Sequence, residues 1–308
     1  MASRFKQQFG IDIDYSGGPT SDAVNQFRTE RQAGVYSTDV ILSGADSMYT
    51  GLYAGKMLDP IEPLLVHPDA VDATHWPGGK HVYMDPEGQL ILRINTYSTP
   101  LIQINTQRVQ PEAITSWYDL LKPEYTGKLA TFDPTSSGAG LSAATYLSTT
   151  LGEDYVTRLF RDQQVTRSRD HRQLADWLAR GTYAVVLALR DVEFQQVKND
   201  GFAVELLHNP PEAPGFVSAG FGLLALVNHA PHPNAARVLV NWLATNEGMD
   251  IWSRAQGIPP VRTDLDTSPY PADELIDPSA SYLDSYGWDY VIKDRDQQMK
   301  RLQQVLGS

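Results

Sequence analysis

The stretch from Ser116 to Gly140 constrains this chain most. Trp117–Leu121 reads as a short helix, and Pro123-Glu124-Tyr125-Thr126-Gly127 as a turn. Residues 128–132 form an apolar run of strand length, and a polar loop follows, Asp133-Pro134-Thr135-Ser136-Ser137-Gly138-Ala139-Gly140. Residues 141–151 then have helical composition. A strand that ends in a hydroxyl- and glycine-rich loop and runs into a helix presents free backbone N–H groups at a helix N-terminus. Those donors and the helix dipole favour an anion or a polar oxygen. The same residues also suit simple helix capping.

The rest of the chain repeats this pattern. Residues 11–15 alternate apolar and acidic side chains, the pattern of a half-exposed strand. They lead through Ser16, Gly17 and Thr20 into a helix over 23–33. A buried strand over 38–42 ends in Ser43 and Gly44 before the next helix. Two strand ends with Ser-Gly loops suggest a cleft at the carboxyl edge of a sheet. Arg93 lies inside an otherwise apolar strand over 88–95, where a charge needs a partner or a ligand. Trp76 sits in a Pro- and His-containing loop, and Arg169 at the end of a polar strand. Arg190 and Asp191 close a continuous apolar strand over 183–189. The 289–306 segment reads as a terminal helix with Ile292, Met299, Leu302 and Leu306 on one face, packed on the body.

Helix, Pro123-Glu124-Tyr125-Thr126-Gly127-Lys128, strand and the Asp133–Gly140 loop together resemble the middle of the iron-type group of extracellular solute-binding proteins, the capturing parts of ABC importers. Residues 38–63, 101–121, 175–191 and 220–265 resemble further segments of that group in the same order. The match spans residues 5–265. The resemblance implies an α/β, two-lobed periplasmic-binding-protein type 2 fold with two crossovers and mixed sheets flanked by helices. Domain one is expected at 1–97 and 221–308, and domain two at 98–220. The resemblance also implies a strand ahead of the opening helix. The sequence starts at that helix, so the first strand and a secretion signal are expected to be missing.

The resemblance further implies a protein that captures a small solute in an interdomain cleft and hands it to a membrane permease, in the periplasm or outside the cell. It implies no reaction and no cofactor, and a monomer is expected. Ferric-ion members carry adjacent tyrosines after the strand that corresponds to 183–189. Here that place reads Leu189-Arg190-Asp191-Val192. Arg190 offers a planar fork of donors suited to a carboxylate or phosphate, with Asp191 placed to orient it. The expected ligand set is Ser16, Gly17, Thr20, Ser43, Gly44, Trp76, Arg93, Ser136, Ser137, Gly138, Arg169, Arg190 and Asp191, around an organic anion. The alternatives are a ferric-ion binder using Tyr15, Tyr49 and Tyr97, an enzyme on the same scaffold, or a sensing module.

Composition narrows the rest. The formal net charge of −12 over 308 residues argues against a nucleic-acid partner, which needs clustered Lys and Arg. With no cysteine, disulfides, thiolate metal sites and thiol catalysis are excluded. The seven histidines lack a helical ligand spacing, so no metal site is expected. No Walker loop, G-x-S-x-G or G-x-G-x-x-G motif occurs.

Overall fold

A computed structural model describes the chain apart from residues 18, 19, 137, 214, 278, 279, 281 and 308 and the side chains of 20–23 and 273. The fold is mixed α/β and divides into two units. Unit 1 comprises 1–97, 218–276 and 286–292. Unit 2 comprises 98–217, 277–285 and 293–308.

Unit 1 opens with α1 (Ala2–Phe9), which ends at Gly10 in the left-handed conformation and buries Phe5 against Trp242. Residues 11–15 do not form the expected strand. Ile11 and Ile13 do pack on the core, so the alternation records a buried side without recording a pairing partner. Next come α2 (Thr20–Gln32), β1 (Val40–Ser43), a π-helical turn (Ser47–Tyr53), β2 (Leu58–Asp59), α3 (Pro68–Val71) and β3 (Ile91–Arg93).

The chain leaves unit 1 along β4 (Tyr97–Thr99) and enters unit 2 at β5 (Ile102–Asn105). Ser116 and Asp119 make a capping box on the short helix Trp117–Leu121, fixing the entry to β6 (Leu129–Phe132). There follow α4 (Ala139–Leu151), α5 (Glu153–Thr157), β7 (Thr166–Ser168), α6 (His171–Ala179), β8 (Val185–Leu187), α7 (Asp191–Asn199) and β9 (Val204–Leu207). The return runs through β10 (Phe216–Ser218) into unit 1 at β11 (Leu223–Val227), α8 (Pro233–Ala244) and α9 (Asn246–Gln256).

The last segment contains β12 (Leu283–Asp284) and α10 (Arg295–Leu306). The chain passes between the units after Tyr97 and after Val217, the second pass lying three residues before the expected boundary at 220. Beyond Ile276 the chain passes between the units three more times. Residues 277–285 and 293–308, expected with domain one, belong to unit 2, because Leu302 and Leu306 pack in its core and Arg167 donates to the carbonyls of Leu306 and Gly307. The apolar face of α10 demanded burial but did not say against which body.

The unit 1 sheet is antiparallel. β11 pairs with β1 (Ser43 opposite Leu223), with β3 (Arg93 opposite Leu223) and with β2. Asn95, fully buried, binds its halves together: its amide donates to Ser253 Oγ at 2.8 Å and to the Ile258 carbonyl at 3.0 Å, and its oxygen accepts from Trp252 Nε1 at 2.8 Å.

Unit 2 holds a five-stranded sheet of order β7-β6-β8-β5-β9. β6 is parallel to both β7 and β8, while β5 is antiparallel to β8 and β9. β6 and β8 are buried on both faces, as parallel strands covered on both sides are, and β5 is buried with Ile102 and Ile104 on one face and Gln103 and Asn105 on the other. Three neighbouring strands therefore end at one edge, and each leads into a helix.

Candidate functional site

That edge of unit 2 carries the densest polar arrangement among the candidate residues. β6 runs into α4, β7 into α6, and β8 into α7. Three helix N-termini thus lie beyond adjacent strand ends, where backbone donors and helix dipoles favour negative charge. One of them has its first donors engaged by a side chain. Asp170 caps α6, accepting from the N–H groups of Arg172 at 2.8 Å and Gln173 at 3.4 Å. Ahead of α7, the Arg190 N–H donates to His171 Nδ1 at 3.3 Å. Neither α4, with N-cap Gly138, nor α7, with N-cap Arg190, has a side-chain cap among the described residues.

The start of α4 presses closely on β6. A Cβ on Gly140 would lie 2.1 Å from the Phe132 carbonyl oxygen, so only glycine allows the helix to begin there. Asp133, next in the chain, is 7% exposed. Its Oδ1 accepts from the Thr135 N–H at 2.9 Å and hydroxyl at 2.7 Å, and its Oδ2 accepts from Arg169 Nε at 2.8 Å. Burial pushes this carboxyl up, but the Thr135 donors and the Arg169 guanidinium outweigh it and hold it below the ordinary aspartate range. Arg169 is thus fixed at Nε by a buried carboxylate. Its side chain is 71% exposed, and its two terminal amino groups have no partner among the described residues.

Arg190 is engaged differently. Glu193 takes its guanidinium in a two-pronged pair, with Nε donating to Oε2 at 2.7 Å and Nη2 to Oε1. Asp191 does not orient it and instead accepts from Gln195 Nε2 at 3.0 Å, one helical turn on. The fork foreseen for a ligand is therefore occupied within the protein. Phe132 stacks on His171 with ring centroids 4.1 Å apart, and burial together with the nearby Arg190 charge lowers the imidazole's pKa. Ser136 donates its hydroxyl to the Asp133 carbonyl at 3.2 Å, while Ser137 lies outside the described residues.

In unit 1 the expected residues do not gather into one group. Ser43 is buried at the end of β1. A Cβ at Gly44 would lie 3.4 Å from Tyr286 Oη and 3.6 Å from the Gly220 carbonyl. Ser16 and Gly17 are exposed in irregular chain, and the Thr20 side chain lies outside the described residues. Trp76 is a core residue, 1% exposed and packed edge-on against His81, because its loop folds inward. Arg93 is 4% exposed within the sheet, and its Nε donates to the Asn95 carbonyl at 3.2 Å, a structural role. Tyr49, named for a ferric site, is buried and donates its hydroxyl to the Tyr286 carbonyl at 2.6 Å.

Sequence reasoning passed over Asp133, Thr135, His171 and Glu193. Asp-Pro-Thr has the form of an Asx turn, in which Asp binds the N–H two residues on. That signal was present. The partners of His171 and Arg190 came only with the fold. Among the described residues no group of three or more His, Cys, Asp or Glu side chains could hold a metal ion, and no helix is long and apolar enough to cross a membrane.

Comparison with known proteins bears on the fold. The ferric iron-binding protein A of Mannheimia haemolytica, in an open conformation, superposes with a TM-score of 0.70 at 14% identity, over 99% of this chain and 93% of that one. A Trichodesmium protein in complex with iron and citrate gives 0.67 at 17% identity, over 99% and 94%. The periplasmic binding protein AfuA of Actinobacillus pleuropneumoniae, with fructose-6-phosphate bound, gives 0.60 at 18% identity, over 99% and 93%. No curated protein matches the chain. At these identities the structural likeness establishes the fold, that of two-lobed periplasmic binding proteins. The family model described as bacterial extracellular solute-binding protein matches residues 1–278, and the chain belongs to that family.

Proposed function

We propose that this solute-binding component of an ABC transporter captures a small organic solute through a carboxylate or phosphate group, and that the β6–α4 edge of unit 2 holds that group. The observation that carries the reading is Arg169. A buried, ionised Asp133, at the end of β6 on the chain that leads into α4, fixes the guanidinium at Nε, and the guanidinium's two terminal amino groups have no partner among the described residues. A planar pair of donors suits a carboxylate or phosphate. Binding of such a group requires no resident metal. The net charge of −12 does not oppose it, since this local cation and helix terminus supply the attraction. One similar fold carries fructose-6-phosphate and another iron together with citrate, so an anionic group is present in both.

The role is binding and release. The solute stabilises the conformation that it fits best, and the permease receives it from that conformation. Calorimetric titration of wild type and Arg169→Ala with citrate and with inorganic phosphate tests the reading. At least one probe should bind wild type, and the variant should bind it more than tenfold more weakly. Equal affinity in the two proteins would remove Arg169 from the site.

A further inference from the structure

The return of the chain to unit 1 after Val217 is accompanied by a second stretch of the same chain. β12 runs parallel to β10, with Phe216 opposite Leu283 and Val217 opposite Asp284. Ser285 continues the pairing: its N–H donates to the Val217 carbonyl at 3.0 Å and its hydroxyl to the same oxygen at 2.7 Å. Tyr286, the next residue, belongs to unit 1. Its hydroxyl donates to the Gly220 carbonyl at 2.8 Å, and its own carbonyl accepts from Tyr49. Trp288 then packs on Tyr49 and Tyr53, with centroids 5.0 and 4.7 Å away.

The segment from Val217 to Gly220 is thus bonded to Ser285 on one side of the unit boundary and to Tyr286 on the other. Gly220 has a φ of +57°, and a Cβ there would come 2.6 Å from Ile258 Cδ1, so the crossover has a backbone shape that other residues resist. Tyr286 Oη also lies beside Gly44, in the loop at the end of β1.

We propose that Ser285–Trp288 form a splint on the return crossover, and that Tyr286 ties the crossover to the Ser43–Gly44 loop. The C-terminal segment thereby holds the backbone of the crossover against local opening. This goes beyond the anion reading and does not depend on which solute binds. Backbone segments that move in binding come from the low-stability end of a structure, and a hydroxyl-to-carbonyl bond is of the size that tunes such local opening.

Amide hydrogen exchange of the unliganded protein tests the splint without any ligand. In Tyr286→Phe, the amides of Gly220 and Gly222 should exchange about two- to tenfold faster, the range that loss of one hydrogen bond implies. Ser285→Ala should act on the same amides. Tyr53→Phe, which removes a hydroxyl from the same aromatic cluster at its contact with Glu87, should leave them unchanged. Unchanged exchange at Gly220 and Gly222 in Tyr286→Phe would overturn the splint. So would a uniform rise across the whole chain, which would mark general destabilisation. Because no solute is present, either result leaves the anion reading to its own titration.

Discussion

Arg169 Nε lies 2.8 Å from Asp133 Oδ2, and the other oxygen of that carboxylate is held by the Thr135 N–H and hydroxyl. The pair joins the end of β7 to the end of its neighbour β6. Asp133→Asn keeps the shape but removes the charge. It is expected to lower stability by about 1–2 kcal/mol, since hydrogen bonds to charged groups contribute more than neutral ones and this one is partly exposed. Solute affinity should fall with it. Thermal unfolding and titration with citrate check both parts.

Arg262 should make unit 1 acid-sensitive. Arg262 is fully buried and donates to Asp69 and Asp264, each at 2.8 Å. The Arg262 hydrogen bond leads the causes that pull the Asp264 carboxyl down to about 2. The unfolded chain's aspartates titrate near 3.9, as an approximate reference. Because the folded value is the lower one, this stabilisation is complete above roughly pH 4–5 and is lost as pH falls through about 2. Arg262→Met should cost about 3 kcal/mol at neutral pH by leaving two carboxylates without their cation, and should flatten the acid limb. Unfolding midpoints between neutral and strongly acid pH report both effects.

Gly140→Ala should be among the most damaging small substitutions in unit 2. Its methyl would meet the Phe132 carbonyl at 2.1 Å, so α4 must shift away from β6. A loss of about 1–3 kcal/mol is expected, as for overpacked sites. The loop between Asp133 and Gly138 would move with the helix, so citrate affinity should also fall. Calorimetric unfolding and the same titration measure the two losses.

Arg190→Ala should matter less than Arg169→Ala for binding. Its guanidinium already serves Glu193, three residues on, so its loss falls first on the start of α7. An affinity change of less than about threefold is expected, with a stability loss of about 0.5–1 kcal/mol, the scale of exposed ion pairs. Parallel titrations of the two variants separate the roles. A larger loss at Arg190 would return the site to the end of β8.

Much of the architecture could be read from the order of apolar runs. The strand before Asp133, the helix after Gly140 and the run over 183–189 each carry a local pattern that survives in the fold. Pairing and partners were not legible. Ile11 and Ile13 alternate like a strand but pack without one. Arg93 and Trp76 looked like exceptions in their segments, and burial turned both into structural residues. Arg190 stands at the end of β8 as read, yet its occupation by Glu193 depends on side-chain placement over one helical turn. Leu302 and Leu306 announced a buried face, but only long-range packing assigned it to unit 2.

Native mass spectrometry tests the central claim most directly. The purified protein is compared intact and denatured, before and after incubation with a pooled set of phosphorylated and carboxylated small molecules. The account predicts one small organic adduct bearing a phosphate or carboxylate, retained by wild type and depleted in Arg169→Ala. Bound iron without an organic anion, a neutral solute, or no adduct under either condition would contradict it.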